Sequence, residues 1–209
     1  MATAVCSAAG AYGALLPLEP GLYGGAPAGV AGALPRLFDT FSYFTIWSNV
    51  VVAVSLTLLA RDPGRDTVVR RALRLDGLMM ILVTMLVYQL VLAPDVDVQG
   101  WSLLTDPWLH LVTPVVTLVV WLVWGPRGWV TVRLLPAALV VPLLWITWML
   151  ARGAVTETYP YGFVNVVQLG YAAVLRNVVA VLAVGLVIAT VLWGVDVLRG
   201  RAGRRHEAA

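Results

Sequence analysis

Of the two histidines in this 209-residue chain, His110 lies in an apolar run and His206 in an Arg-rich tail. His110 is therefore the imidazole placed to exchange a proton within a hydrophobic segment near neutral pH. Ionisable groups in apolar spans lean towards function; the plainer alternative is a hydrogen bond to a neighbouring helix. Helical spacing puts other polar side chains on shared faces. Asp106, His110, Thr113 and Thr117 follow one stripe, and Ser42, Thr45 and Asn49 another. Thr84 and Tyr88 lie one helical turn apart with Gln89 beside them, and Arg176 and Asn177 open a later apolar run. The default for a helical Thr is a bond back to its own backbone carbonyl, and this is the expectation for Thr84, Thr117 and Thr147. Asp106 has its own default, an interfacial charge or helix cap; one turn before His110, it could instead orient the ring.

The elements that hold these residues follow from composition. Apolar residues make up 60% of the chain and charged residues 12%, and the mean hydropathy is +0.87. Soluble domains carry about 45–50% apolar and about 25% charged residues, so the excess must face lipid. A membrane-crossing helix needs about 20 mainly apolar residues. Charges punctuate the sequence at that interval. They leave apolar spans at about 37–60, 76–94, 104–125, 131–151 and 172–196. Residues 1–35 hold a sixth, Ala- and Gly-rich candidate at Ala2–Leu16, weak or shortened, and then a Gly/Pro loop. The expected fold is an all-α polytopic membrane bundle over 36–198, with six spans, the first thin, and a basic tail at 199–209. Pro114 and Pro142 are expected to kink their helices, and Met79, Met80 and Met85 to serve packing.

All 14 basic residues are Arg, and 11 of them fall in one alternating set of loops, around 61–74, 127–133 and 199–205. The opposite loops hold Asp95, Asp97, Asp106 and Glu157. The positive-inside rule makes the Arg-rich side cytoplasmic, with the C-terminus inside. The net charge of +3 thus reads as an orientation signal, and no nucleic-acid partner is expected. Trp101, Trp108, Trp145, Trp148, Tyr159 and Tyr161 cluster at the outer ends, as interfacial anchors do. At 1.5 Å per residue, Thr45 lies roughly 9 Å and His110 roughly 6 Å inside the outer edge, on spans running in the same direction. Tyr88, Gln89 and Asn177 belong to the same half. One polar chamber near the outer leaflet is expected, over an inner half of Val, Leu and Ala.

Several functions lose support here. The single Cys6 excludes an internal disulfide. Nucleotide-binding glycine loops and the common soluble hydrolase motifs do not occur. One intramembrane His supplies too few ligands for haem or zinc, so neither metal nor cofactor is expected. Nothing suggests the inverted repeats of a transporter.

The segments FSYFTIWSNVVVA, WLHLVTPVV and WITWMLARGAVTETYPYGFVN resemble the Pr6Pr bacterial membrane proteins. These belong with the family that includes the androgen-induced and androgen-dependent TFPI-regulating membrane proteins of animals. The resemblance covers about residues 37–194 and departs in the N-terminal span and in the residues Ile-Trp-Ser-Asn after Thr45. Its animal members hydrolyse fatty acid esters of hydroxy fatty acids with an intramembrane Thr and His. Carried over residue by residue, it implies that Thr45 is the nucleophile and His110 the base in a multi-pass protein of a bacterial plasma membrane. A lipid-like ester would arrive from the bilayer. A hydroxyl needs such a base to react. The resulting oxyanion needs donors. Mid-helix N–H groups are committed to the helix ladder, which leaves Asn49 and Asn177 first, then Tyr88 and Gln89. The other expectation is a non-catalytic lipid-binding or scaffold protein of the same fold.

Overall fold

The computed structural model describes residues 33–95, 98–100 and 102–207; the thin first span expected at Ala2–Leu16 lies outside them. Helix α1 is Ala33–Thr40 and α2 is Phe44–Arg61. Helix α3, Val68–Val87, runs on through a π turn at Tyr88–Leu92. Helix α4, Ser102–Pro107, passes through a second π turn, Trp108–Val112, into α5, Thr113–Trp124. Two 3₁₀ turns lead into α6, Val140–Thr156, and α7 is Val166–Glu207. No strand occurs among the described residues. Five segments, Phe44–Arg61, Val68–Leu92, Ser102–Trp124, Val132–Thr156 and Val166–Arg201, are long and apolar enough to cross a membrane. The chain is an all-α polytopic bundle.

Burial is distributed as a lipid-exposed bundle requires. Helix α3 is the central element, with Leu75, Leu78 and Met80 fully buried in one cluster with Trp121, Ala138, Ala189 and Leu192. The outer helices turn apolar side chains outward, among them Val116, Val119 and Val123 on α5 and Val179, Val187 and Val191 on α7. In lipid this costs nothing, because acyl chains are as apolar as the side chains themselves. A second cluster, Trp145, Met149, Val164, Val174 and Val178, joins α6 to α7. In α7 the helix proper starts after Gly170, whose φ of 74° and ψ of 160° only glycine adopts readily. That break accounts for the span start near 172 read from the sequence.

One boundary differs from expectation in a way that matters. The apolar run at 37–60 is not one helix but two, separated by a turn at residues 41–43. Breaking the helix there frees carbonyls in an apolar setting, and two indoles capture them. Trp47 Nε1 donates to the Phe41 carbonyl at 2.7 Å, and Trp145 Nε1 to the Ser42 carbonyl at 2.9 Å. The Ser42 hydroxyl turns back to the Phe38 carbonyl, 2.9 Å away, so Ser42 leaves the face it was expected to share with Thr45. An Arg152–Asp39 ion pair ties α1 to α6. Trp145 is thus a buried structural donor, not an interfacial anchor.

At the opposite end, the carboxylate of Asp196 is fully buried in α7. Its Oδ2 accepts the Val130 backbone N–H at 2.9 Å, and Arg199 Nη1 lies 3.6 Å from Oδ1. Arg199 in turn donates to the Gly125 carbonyl at 3.2 Å and stacks over Trp121. This cluster pins the α5–α6 loop. Asp196→Leu would strand a buried N–H and an Arg, so a loss of about 1–3 kcal/mol is expected. Asp196→Asn, which keeps an acceptor for Val130, should lose less. Thermal unfolding in detergent measures both, and equal loss in the two variants would contradict this account.

Candidate active site

Where α2 begins, α3 ends and α4 meets α5, four polar side chains form one chain of contacts. Thr45 Oγ1 lies 3.1 Å from His110 Nε2. His110 Nδ1 lies 3.0 Å from the Asp106 carboxylate and 3.0 Å from the Asp106 carbonyl. The Tyr88 hydroxyl donates to the other Asp106 carboxylate oxygen. Two acceptors at Nδ1 put the ring proton there. Nε2 is left with a lone pair, and the Thr45 hydroxyl donates to it. The order hydroxyl, imidazole, carboxylate is the one that triad hydrolases use. Asp106, whose default reading was an interfacial charge, is the residue that sets the tautomer. Tyr88 also stacks on the imidazole, with centroids 3.8 Å apart and planes 10° apart.

Proline chemistry explains why these side chains meet. Pro114 has no N–H, and its ring collides with the carbonyl four residues back, that of His110. The helix relieves the collision by widening: the Thr113 N–H reaches back five residues to the Trp108 carbonyl. Pro94 does the same to α3, where the Ala93 N–H reaches the Tyr88 carbonyl. Both stacked rings therefore sit in π turns, a form enriched at functional sites.

The turn at 41–43 changes the chemistry available at Thr45. Thr45 is the second residue of α2, so its backbone N–H and that of Phe44 have no partner in the helix ladder. The expectation that backbone donors are already committed is thus corrected. Both N–H groups instead face the phenol of Tyr161, in the α6–α7 loop. Burial pushes this phenol up to about 12, partly opposed by the Thr45 hydroxyl and the two backbone N–H groups, with Tyr43 adding to the rise. At neutral pH it remains protonated beside Thr45. The loop is placed by close packing: Tyr159 lies so tightly on Gly153 that a Cβ there would fall 2.1 Å from its ring. The Tyr161 ring packs edge-on against Tyr43 and stacks on Phe163. From its place in the sequence Tyr161 is expected to be an interfacial anchor. Its Tyr-Pro-Tyr context was visible, but its approach to Thr45 depends on how α6 packs on α2.

The side chains expected as oxyanion donors are otherwise occupied. The Asn49 amide donates to the Thr45 carbonyl at 2.8 Å and more weakly to the Leu109 carbonyl at 3.5 Å, bracing the site from below. Asn177 donates to the Phe163 carbonyl at 2.8 Å, which fixes the loop after Tyr161. Gln89 is exposed, on the far side of the π turn. Tyr88 is spent on Asp106. Of the three threonines expected to bond back, Thr147 does so to the Leu143 carbonyl, while Thr84 pairs across helices with Ser48 at 2.9 Å.

A narrow cavity opens from Thr45 and Tyr161 and runs between α3, α6 and α7. Its walls are apolar, with Val83, Trp145, Ile146, Val181 and Leu182 among them, and Met79 and Gly185 mark its far end. From Tyr88 to Met79 it follows roughly 14 Å of α3.

The Tyr161 phenol gives the site a pH signature. Its proton is held more tightly when folded, up to about 12 against an ordinary 10. Stability should therefore be unaffected below about pH 10 and fall as pH rises from there towards 12. Thermal unfolding across that range should show a shallower decline for Tyr161→Phe; identical curves would contradict the burial of this phenol.

No family model, no curated protein and no solved structure matches this chain.

Proposed function

We propose that the protein is a membrane-embedded hydrolase of lipid-like fatty acid esters, with Thr45 as nucleophile and His110 as general base. It would be of the kind that the resemblance to the Pr6Pr and androgen-induced protein family implies. The observation that carries this reading is the 3.1 Å approach of Thr45 Oγ1 to His110 Nε2, with Asp106 on the opposite ring nitrogen. Thr45 Oγ1 attacks the ester carbonyl while its proton passes to His110 Nε2. The tetrahedral oxyanion sits between the Thr45 N–H and the Tyr161 O–H, at the positive end of α2. It collapses by expelling the alcohol, which takes the proton from His110. Water, deprotonated by His110, then attacks the acyl-Thr45 ester and releases the fatty acid.

The apolar cavity suits the acyl chain: it begins at the nucleophile and offers almost no polar partner along its length. The arginines of the α2–α3 loop lie at the other end of α2 from Thr45. With those loops cytoplasmic, the site belongs to the outer half of a bacterial plasma membrane. A substrate would enter laterally from the bilayer.

Purified protein should hydrolyse long-chain fatty acid esters, and a fluorophosphonate probe should label Thr45. Thr45→Ala and His110→Ala should each lose at least about a thousandfold in turnover. Tyr161→Phe should lose about a hundredfold in kcat with KM little changed. If both alanine variants keep hydrolysis and labelling, the reading fails, and a co-purified lipid without turnover would favour the lipid-binding alternative. Gly185→Leu, which fills the far end of the cavity near Met79, should shift preference towards shorter acyl chains without abolishing turnover on them.

A further inference from the structure

Arg74, in the first turns of α3, is only 3% exposed, and none of its three guanidinium nitrogens has a hydrogen-bond partner among the described residues. A buried guanidinium with five unmet donors is a costly arrangement unless something supplies acceptors. The neighbouring carboxylates do not supply them. Asp66 is held by Arg71, and Asp76, two positions along the helix, points to another face and makes no ion pair with Arg74. Arg70 is anchored by its Nη1 to the Asp62 and Arg65 carbonyls, at 2.5 and 3.0 Å. Both arginines line a small pocket together with Ser55, Leu58, Leu59 and Trp129. Arg61 and Arg65 in the adjoining loop add to a local excess of positive charge.

We propose that this pocket, at the Arg-rich end of the bundle, binds a phosphate group, with Arg74 as the principal ligand and Arg70 as the second. A phosphate presents several acceptor oxygens and negative charge, which is what an unmet guanidinium requires. Leu58 and Leu59 form an apolar wall suited to the acyl chains of a phospholipid, so the phosphate has two sources to distinguish, an anionic headgroup and a free ion. The site is remote from Thr45 and does not depend on the hydrolase reading.

Thermal unfolding of delipidated full-length protein in maltoside tests the proposal. One arm adds inorganic phosphate against chloride at equal ionic strength. The other dopes the micelles with phosphatidylglycerol against uncharged diacylglycerol. A ligand at a hundredfold over its Kd should raise Tm by about 5–10 °C. A rise with phosphate assigns a soluble anion, and a rise with phosphatidylglycerol alone assigns the headgroup. Arg74→Met should abolish the rise while leaving the ligand-free protein as stable as wild type or more so, because an uncompensated charge has been removed. Arg74→Lys should keep part of it, and Thr45→Ala all of it. No rise in either arm for the wild type, or an equal rise in Arg74→Met, overturns the proposal.

Discussion

In an apolar layer a polar group that lacks a partner inside the protein has none at all, and the hydrogen-bonded chain from Tyr88 through Asp106 and His110 to Thr45 answers that demand across three helices. Each member satisfies the next. Tyr88 and His110 Nδ1 both donate to Asp106, so the carboxylate is not left bare among apolar neighbours. His110 Nε2 then has only Thr45 to face. Satisfying the buried groups fixes the imidazole tautomer, and that tautomer is the one a general base needs. Structure and chemistry are served by the same bonds, which is why a site of this kind can be preorganised without any metal–ligand framework.

The backbone makes the chain possible through two departures from regular helix. Prolines at 94 and 114 remove donors and force π turns, and these turns bring Tyr88 and His110 face to face. The turn at 41–43 interrupts what would otherwise be a continuous span, and Trp47 and Trp145 hold the freed carbonyls. The consequence is that Thr45 lies in a first helical turn, with N–H groups outside the helix ladder beside its hydroxyl. A hydroxyl placed there has backbone donors beside it, and the Tyr161 phenol faces them.

The two ends of the bundle treat buried charge differently. At the site end, the Arg152–Asp39 pair and the His110–Asp106 contact leave each charge matched. At the Arg-rich end, Asp196 is matched by a backbone N–H and by Arg199, whereas Arg74 is not matched. Between the ends, α3 supplies the apolar packing that holds the helices in register, and the cavity beside it is lined by the same kind of side chain that faces lipid. An acyl chain would leave one hydrocarbon environment for another.

The sequence by itself determined the all-α membrane bundle, five of its spans, and the nomination of His110. These follow from composition and charge spacing, which act locally along the chain. Thr45 is singled out by a family resemblance, with spacing adding little. What only the tertiary structure decided was which polar groups are free. Asn49 and Asn177 looked available, yet the Asn49 amide donates to the Thr45 carbonyl one turn back and, across helices, to that of Leu109, and the Asn177 amide to the Phe163 carbonyl in the preceding loop. Tyr161 looked like an interfacial anchor because its approach to α2 is set by Tyr159 packing on Gly153, a contact between α6 and the loop beyond it. Hydrogen bonding saturates: each donor is used once, and which acceptor claims it depends on three-dimensional proximity that periodicity along one chain does not encode.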